Sequence, residues 1–156
     1  TGLSQAAQAA AVLASEPVAH VVCSDMPLAH ATARALAQRL QRVPVLHDGL
    51  RERHFGALIG TSSADIDWDC APEGGETLDQ FAARTLAALV EALARPAPVL
   101  VVAHGGTLHV LAAALGLRAE LGLFSNARPL RIDRHTTGWA ATPLGSVLPG
   151  SLPHLA

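Results

Sequence analysis

Val99 to Leu111 reads Val-Leu-Val-Val-Ala-His-Gly-Gly-Thr-Leu-His-Val-Leu, and no other stretch narrows the fold as far. The apolar run Val99–Ala103 is short and unbroken, as a strand buried on both faces of a parallel sheet requires. It ends at His104-Gly105-Gly106, and an apolar helical pattern starts at once. In α/β folds the carboxyl end of a parallel strand, where the chain turns into a helix, is where ligands are met. Two glycines there let the backbone approach a ligand, and the free N–H groups of the first helical turn favour an anion. The same pattern also describes a buried histidine that caps a turn, so it becomes a site only with partners.

The rest of the chain repeats the alternation. Gly2–Ala14 is an alanine-rich helix with Thr1 as its candidate N-cap. Val18–Cys23 is a short strand, Ala29–Leu40 a helix and Val43–Leu46 a second strand. Asp48–Gly75 is irregular, and Glu76–Leu93 forms a helix whose leading acid suits its positive end. After the His104 strand and helix, Pro129–Asp133 and Trp139–Thr142 read as edge strands around a Thr-Thr-Gly turn. This order predicts an α/β fold: a mainly parallel sheet, helices on both faces and a late edge hairpin. With 156 residues, no repeat and no linker-like stretch, residues 1–156 read as a single domain.

Composition removes several function classes. Half the residues are hydrophobic, yet no run reaches the length of a membrane span and nothing reads as a signal peptide, so a cytoplasmic protein is expected. A net charge of −2 argues against a nucleic-acid surface, which needs a clustered basic excess. Cys23 and Cys70 form no metal-type pair, and His104 and His109 are five apart rather than the four of a zinc pair on one helical face. No metal or cofactor is called for.

Three other segments carry polar groups suited to chemistry. Leu50-Arg51-Glu52-Arg53-His54-Phe55-Gly56 packs two arginines, a carboxylate and a histidine into a loop after a strand. Glu73-Gly-Gly-Glu76-Thr77 places two acids before a helix, and Ser125-Asn126-Ala-Arg128 interrupts the chain before the hairpin. Taken singly, each also reads as a solvated charge cluster, a helix cap or a polar loop.

Their order is specific. The strand followed by His104-Gly105-Gly106, the Leu50, Glu52, Phe55, Gly56 set, Gly75-Glu76-Thr77, Asn126 and the opening Gly2-Leu-Ser-Gln-Ala6 together resemble the histidine phosphatase superfamily, the phosphoglycerate-mutase-like proteins. The closing His154-Leu155 is similar to the family's ending. The resemblance implies attack on a phosphoryl group by a histidine of an Arg-His-Gly motif, with a phosphohistidine intermediate. It implies that His104 is the second histidine and Glu52 the proton donor, and that Arg51, Arg53, Gly105, Gly106, Glu76 and Asn126 contact the substrate or its phosphate. The expected ligand is a small phosphorylated or anionic molecule, with no nucleic acid and no membrane.

The chain also departs from that pattern. No Arg-His-Gly occurs in it, and Leu28 stands where the family places a second arginine. His109 replaces the basic residue usual in the helix after His-Gly-Gly, and Ile59 the late acid of the middle loop. The expectation is therefore that the 156 residues as they stand are not a working phosphatase. The alternatives are a phosphatase or mutase of a small phosphorylated metabolite whose Arg-His-Gly segment lies upstream of Thr1, a degenerate protein that binds an anion or a partner, or a repurposed acid–base enzyme using Glu52 and His104. The family's first central strand, expected between Val18–Cys23 and Val99–Ala103, is missing from the sequence. The gap would be filled by a homodimer or partner strand, or removed by a sheet that closes up.

Overall fold

The computed structural model describes residues 2–62, 64–117 and 127–145. Helix α1, Gly2–Leu13, buries Ala6, Ala9, Ala10 and Leu13, the spacing of one helical stripe. Its candidate cap, Thr1, lies outside the described residues, as do Ser125, Asn126, His154 and Leu155. Strand β1, His20–Cys23, leads to α2, Pro27–Leu40, which starts two residues before the expected Ala29. Pro27 takes the first helical position, where its fixed φ suits the helix and its missing N–H costs nothing.

Strand β2 is Pro44–Leu46, and single 3₁₀ turns follow at Asp48–Leu50 and Gly56–Leu58. Helix α3 runs over Leu78–Leu93, two residues later than Glu76 suggested, because Thr77 and Gln80 form a reciprocal capping box. Strand β3, Val99–Val102, feeds α4, Gly105–Leu115. Strands β4, Leu130–His135, and β5, Gly138–Pro143, complete the described chain. No helix among the described residues is long and apolar enough to cross a membrane.

The sheet is parallel, in the order β2-β1-β3, and Val22 sits between Val45 and Val101. Alternation along the strands serves both faces, as two-sided burial demands. Val21, Cys23, Leu100 and Val102 pack towards Ala33 and Ala37 of α2. Val22, Val99 and Val101 pack towards Leu50, towards Ala88, Leu89 and Ala92 of α3, and towards Leu111 of α4. Helix α1 packs beside α2, its Ala9, Ala10 and Leu13 meeting Leu36, with Leu100 and Val102 of β3 against the same cluster.

Of the two outcomes expected beside β1, a gap filled by another strand or a sheet without one, the structure shows the second. β1 pairs directly with β3 from His20↔Val99 to Cys23↔Val102, so no strand lies between them and none is needed there. The backbone groups of β1 are satisfied by β2 on one side and β3 on the other. Among the described residues, the outer edge of β3 and the outer edge of β4 pair with no further strand. The hairpin forms as read, but β4 and β5 stand as their own two-stranded antiparallel sheet. It leans on α1: Leu144 packs with Ala9, Ala10 and Leu13, and Arg131 Nη2 reaches Glu16 Oε2 at 2.9 Å.

Candidate active site

The carboxyl ends of β1 and β3 are neighbours because the strands pair, and this brings Ser24 against His104. His104 has an extended backbone (φ −127°, ψ 168°) and serves as N-cap of α4, while its side chain makes no capping bond. Its Nε2 instead lies 2.8 Å from Ser24 Oγ. Ser24 is fully buried; its N–H donates to Val102 O, and its Oγ accepts from Met26 N. Burial holds the His104 imidazole below its ordinary pKa, against an opposing pull from the Glu52 charge. Burial thus favours the neutral imidazole, whose Nε2 shares its hydrogen bond with the Ser24 hydroxyl.

Glu52 occupies the place where the sequence anticipated an anion. Its Oε2 accepts from Gly106 N at 3.2 Å, and its Oε1 from Arg53 N at 3.0 Å. The carboxylate thus sits on the first turn of α4, where the helix's positive end and unpaired N–H groups favour negative charge. Glycine at 106 leaves room for this contact, since a Cβ there would displace the Glu52 carboxylate and press on the Phe81 ring. Gly105 has open space on the corresponding side.

The two arginines flanking Glu52 have different fates. Arg51 makes a bidentate pair with Asp25, Nε to Oδ1 at 2.7 Å and Nη2 to Oδ2 at 2.5 Å, near the mouth of the site. That pairing holds the Asp25 carboxyl below its usual range. Arg53 is 3% exposed and points inward. Its guanidinium donates to Glu76 O (3.1 Å), Trp68 O (2.7 Å) and Cys70 O (2.8 Å), and it lies 5.3 Å from the Phe55 ring. Arg53 fastens the 68–76 stretch and offers no nitrogen to the open side.

Glu76 also faces inward. Both its oxygens accept from Arg84 at 2.7 Å, and Oε2 accepts from His54 N at 3.0 Å. The Arg84 bonds, foremost, hold its pKa below the ordinary carboxylate value. Three participants were missed in the sequence: Ser24, Asp25 and Arg84. An acid directly after a strand's last polar residue was a usable signal for Asp25, and Arg84 is the only basic residue in α3. Among the described residues, no group of three or more His, Cys, Asp or Glu could hold a metal ion.

Strand ends carrying His104 and Ser24, with Glu52 on the glycine turn of α4, define an α/β protein with an acid–imidazole site. The histidine phosphatase superfamily (branch 1) profile matches residues 1–142, and the chain belongs to that family. It is 34% identical over 137 residues to a glucosyl-3-phosphoglycerate phosphatase of Mycobacterium tuberculosis, covering 73% of this chain and 61% of the relative. The chain therefore spans about three-fifths of that relative's length. A probable phosphoglycerate mutase of Photorhabdus laumondii is 32% identical over 177 residues, covering 99% of this chain and 81% of the relative. The mycobacterial glucosyl-3-phosphoglycerate phosphatase complexed with VO3 superposes with a TM-score of 0.72 at 31% identity, over 90% of this chain and 82% of that one. The same phosphatase with inorganic phosphate gives 0.69 at 30% identity, over the same shares.

Proposed function

We propose that this chain binds a small phosphorylated metabolite at the carboxyl ends of β1 and β3, and that these 156 residues alone do not turn it over. The observation that carries the reading is the Glu52 carboxylate held on Gly106 N beside His104, whose ring is fixed on Ser24 Oγ. A carboxyl group, an imidazole and an anion-favouring helix start are thereby gathered at one point. The phosphate and VO3 complexes of the mycobacterial relative support an anion there. Arg51 and the N–H groups of Gly105 and Gly106 contact the phosphate, with Asn126 assigned by its motif. His104 and Glu52 move the proton. Arg53 and Glu76 act by holding the loop that carries Glu52.

Two sequence facts support silence. No Arg-His-Gly is present, and that motif carries the family's attacking histidine. Leu28, at the position of the second arginine, is 85% exposed and supplies no donor. A charge-assisted hydrogen bond contributes roughly 1.5–3 kcal/mol, so one lost arginine costs about one to two powers of ten, whereas a lost nucleophile removes the covalent route. A strand bearing such a motif would fit along the open edge of β3, where running parallel it would end beside His104. Residues 1–156 are taken as one domain, since α1 packs against both the sheet layer and the end of the hairpin.

Calorimetric titration with inorganic phosphate tests the binding site. Saturable binding that Arg51→Ala weakens is expected, with no hydrolysis of an aryl phosphate. Absence of phosphate binding sinks the site, and hydrolysis that disappears with His104 sinks the silence.

A further inference from the structure

Arg84 makes more bonds than an ion pair with Glu76 needs. Its Nε and Nη2 hold the two Glu76 oxygens, while Nη1 donates to Gly49 O at 2.8 Å and Arg51 O at 3.1 Å. Nη2 also reaches Glu52 O at 3.4 Å. One guanidinium in the middle of α3 therefore gathers three carbonyls from the four residues that lead into the site acid. Its carbon lies 5.3 Å from the centre of the Phe81 ring, the ring that crowds Gly106. The loop and the first turn of α4 are thus referenced to the same stretch of α3.

We propose that Arg84 is the positioning residue for Glu52: it sets where the carboxylate meets Gly106 N. The inference rests on the reading of Glu52 as the site's acid, but it concerns the unliganded chain. An ion pair with side chains roughly a quarter exposed would, by itself, leave the loop's geometry to other contacts. A planar fork that satisfies several fixed acceptors acts differently, because its donors have set directions that an ammonium lacks. Exchange for lysine keeps the charge and loses the fork.

The Gly106 amide resonance of the intact chain is the readout, since its N–H donates to Glu52 Oε2. Glu52→Gln gives the reference position for an altered acceptor. Arg84→Lys is expected to move the Gly106 signal most of the way to that reference, and the double variant to move it little further, the non-additivity of residues acting as a unit. A folded Arg84→Lys chain with Gly106 at its wild-type position overturns the proposal, as do shifts that simply add. If Arg84→Lys fails to fold, Glu76→Gln, which leaves the fork but removes its anchor, is expected to shift Gly106 in the same direction; no shift overturns the proposal. Phosphate titration of the wild type separates the two ideas, because a chain that binds no phosphate but shows the Gly106 response loses only its anion site.

Discussion

At the scale of single residues, the site is filled by its own acids. Asp25 takes Arg51, and Glu52 takes the amide of Gly106 that an incoming anion would use. A ligand phosphate must therefore displace a carboxylate to reach the guanidinium. The pair is partly solvated, with side chains 56% exposed at Arg51 and 25% at Asp25, so solvent screening keeps it weak. Removing the competing charge in Asp25→Asn should tighten inorganic phosphate binding by about two- to fivefold. Calorimetric titration of both proteins checks this, and weaker binding by the variant would show that Asp25 serves to aim Arg51. His104, Glu52 and the glycines were legible in the sequence because strand, turn and helix fix them locally. The inward turn of Arg53 was not, because its three carbonyl partners lie 15 to 23 residues away.

At the scale of elements, α3 carries the site on its first two turns, so its start matters. Thr77 Oγ1 accepts from Gln80 N at 3.1 Å, and Gln80 Oε1 accepts from Thr77 N at 2.9 Å. Thr77→Ala removes half of that reciprocal cap and should cost about 1 kcal/mol, measured as a lower urea midpoint at unchanged slope. The box was written in the sequence, yet the acid at Glu76 drew the boundary two residues early. Glu76 resembles a first-turn acid only until Arg84, eight residues on, is seen to claim it. The apolar runs of β1 and β3 were readable for the converse reason: strands buried on both faces allow few other sequences. Which strands pair is a different question. Runs so alike in Val and Leu do not reveal their neighbours, and the direct β1–β3 ladder emerged only in the fold.

At the scale of the whole molecule, the buried site groups push stability in one direction with pH. His104 is depressed in the fold relative to its ordinary 6.5, so below that value the unfolded chain binds a proton the native one resists. Glu76 is depressed relative to 4.5, so its contribution is present above that value and fades as pH falls through the native pKa. In both cases the unfolded state binds more protons, and stability rises with pH. Urea midpoints should hold steady from neutrality up to the thiol range, where the buried Cys23 lowers them; they begin to fall as pH drops past the imidazole range, and fall again in the carboxylate range. Glu76→Gln should flatten the second fall and leave the first.

The two sheets carry a consequence for motion. β4 and β5 share no ladder with β3, and the hairpin is tied down through Arg131, Glu16 and the packing of Leu144 on α1. Opening it breaks its own pairing and those ties while leaving β1 enclosed between β2 and β3. The molecule thus has separate units of cooperativity, and the hairpin amides exchange with solvent deuterium ahead of those of β1.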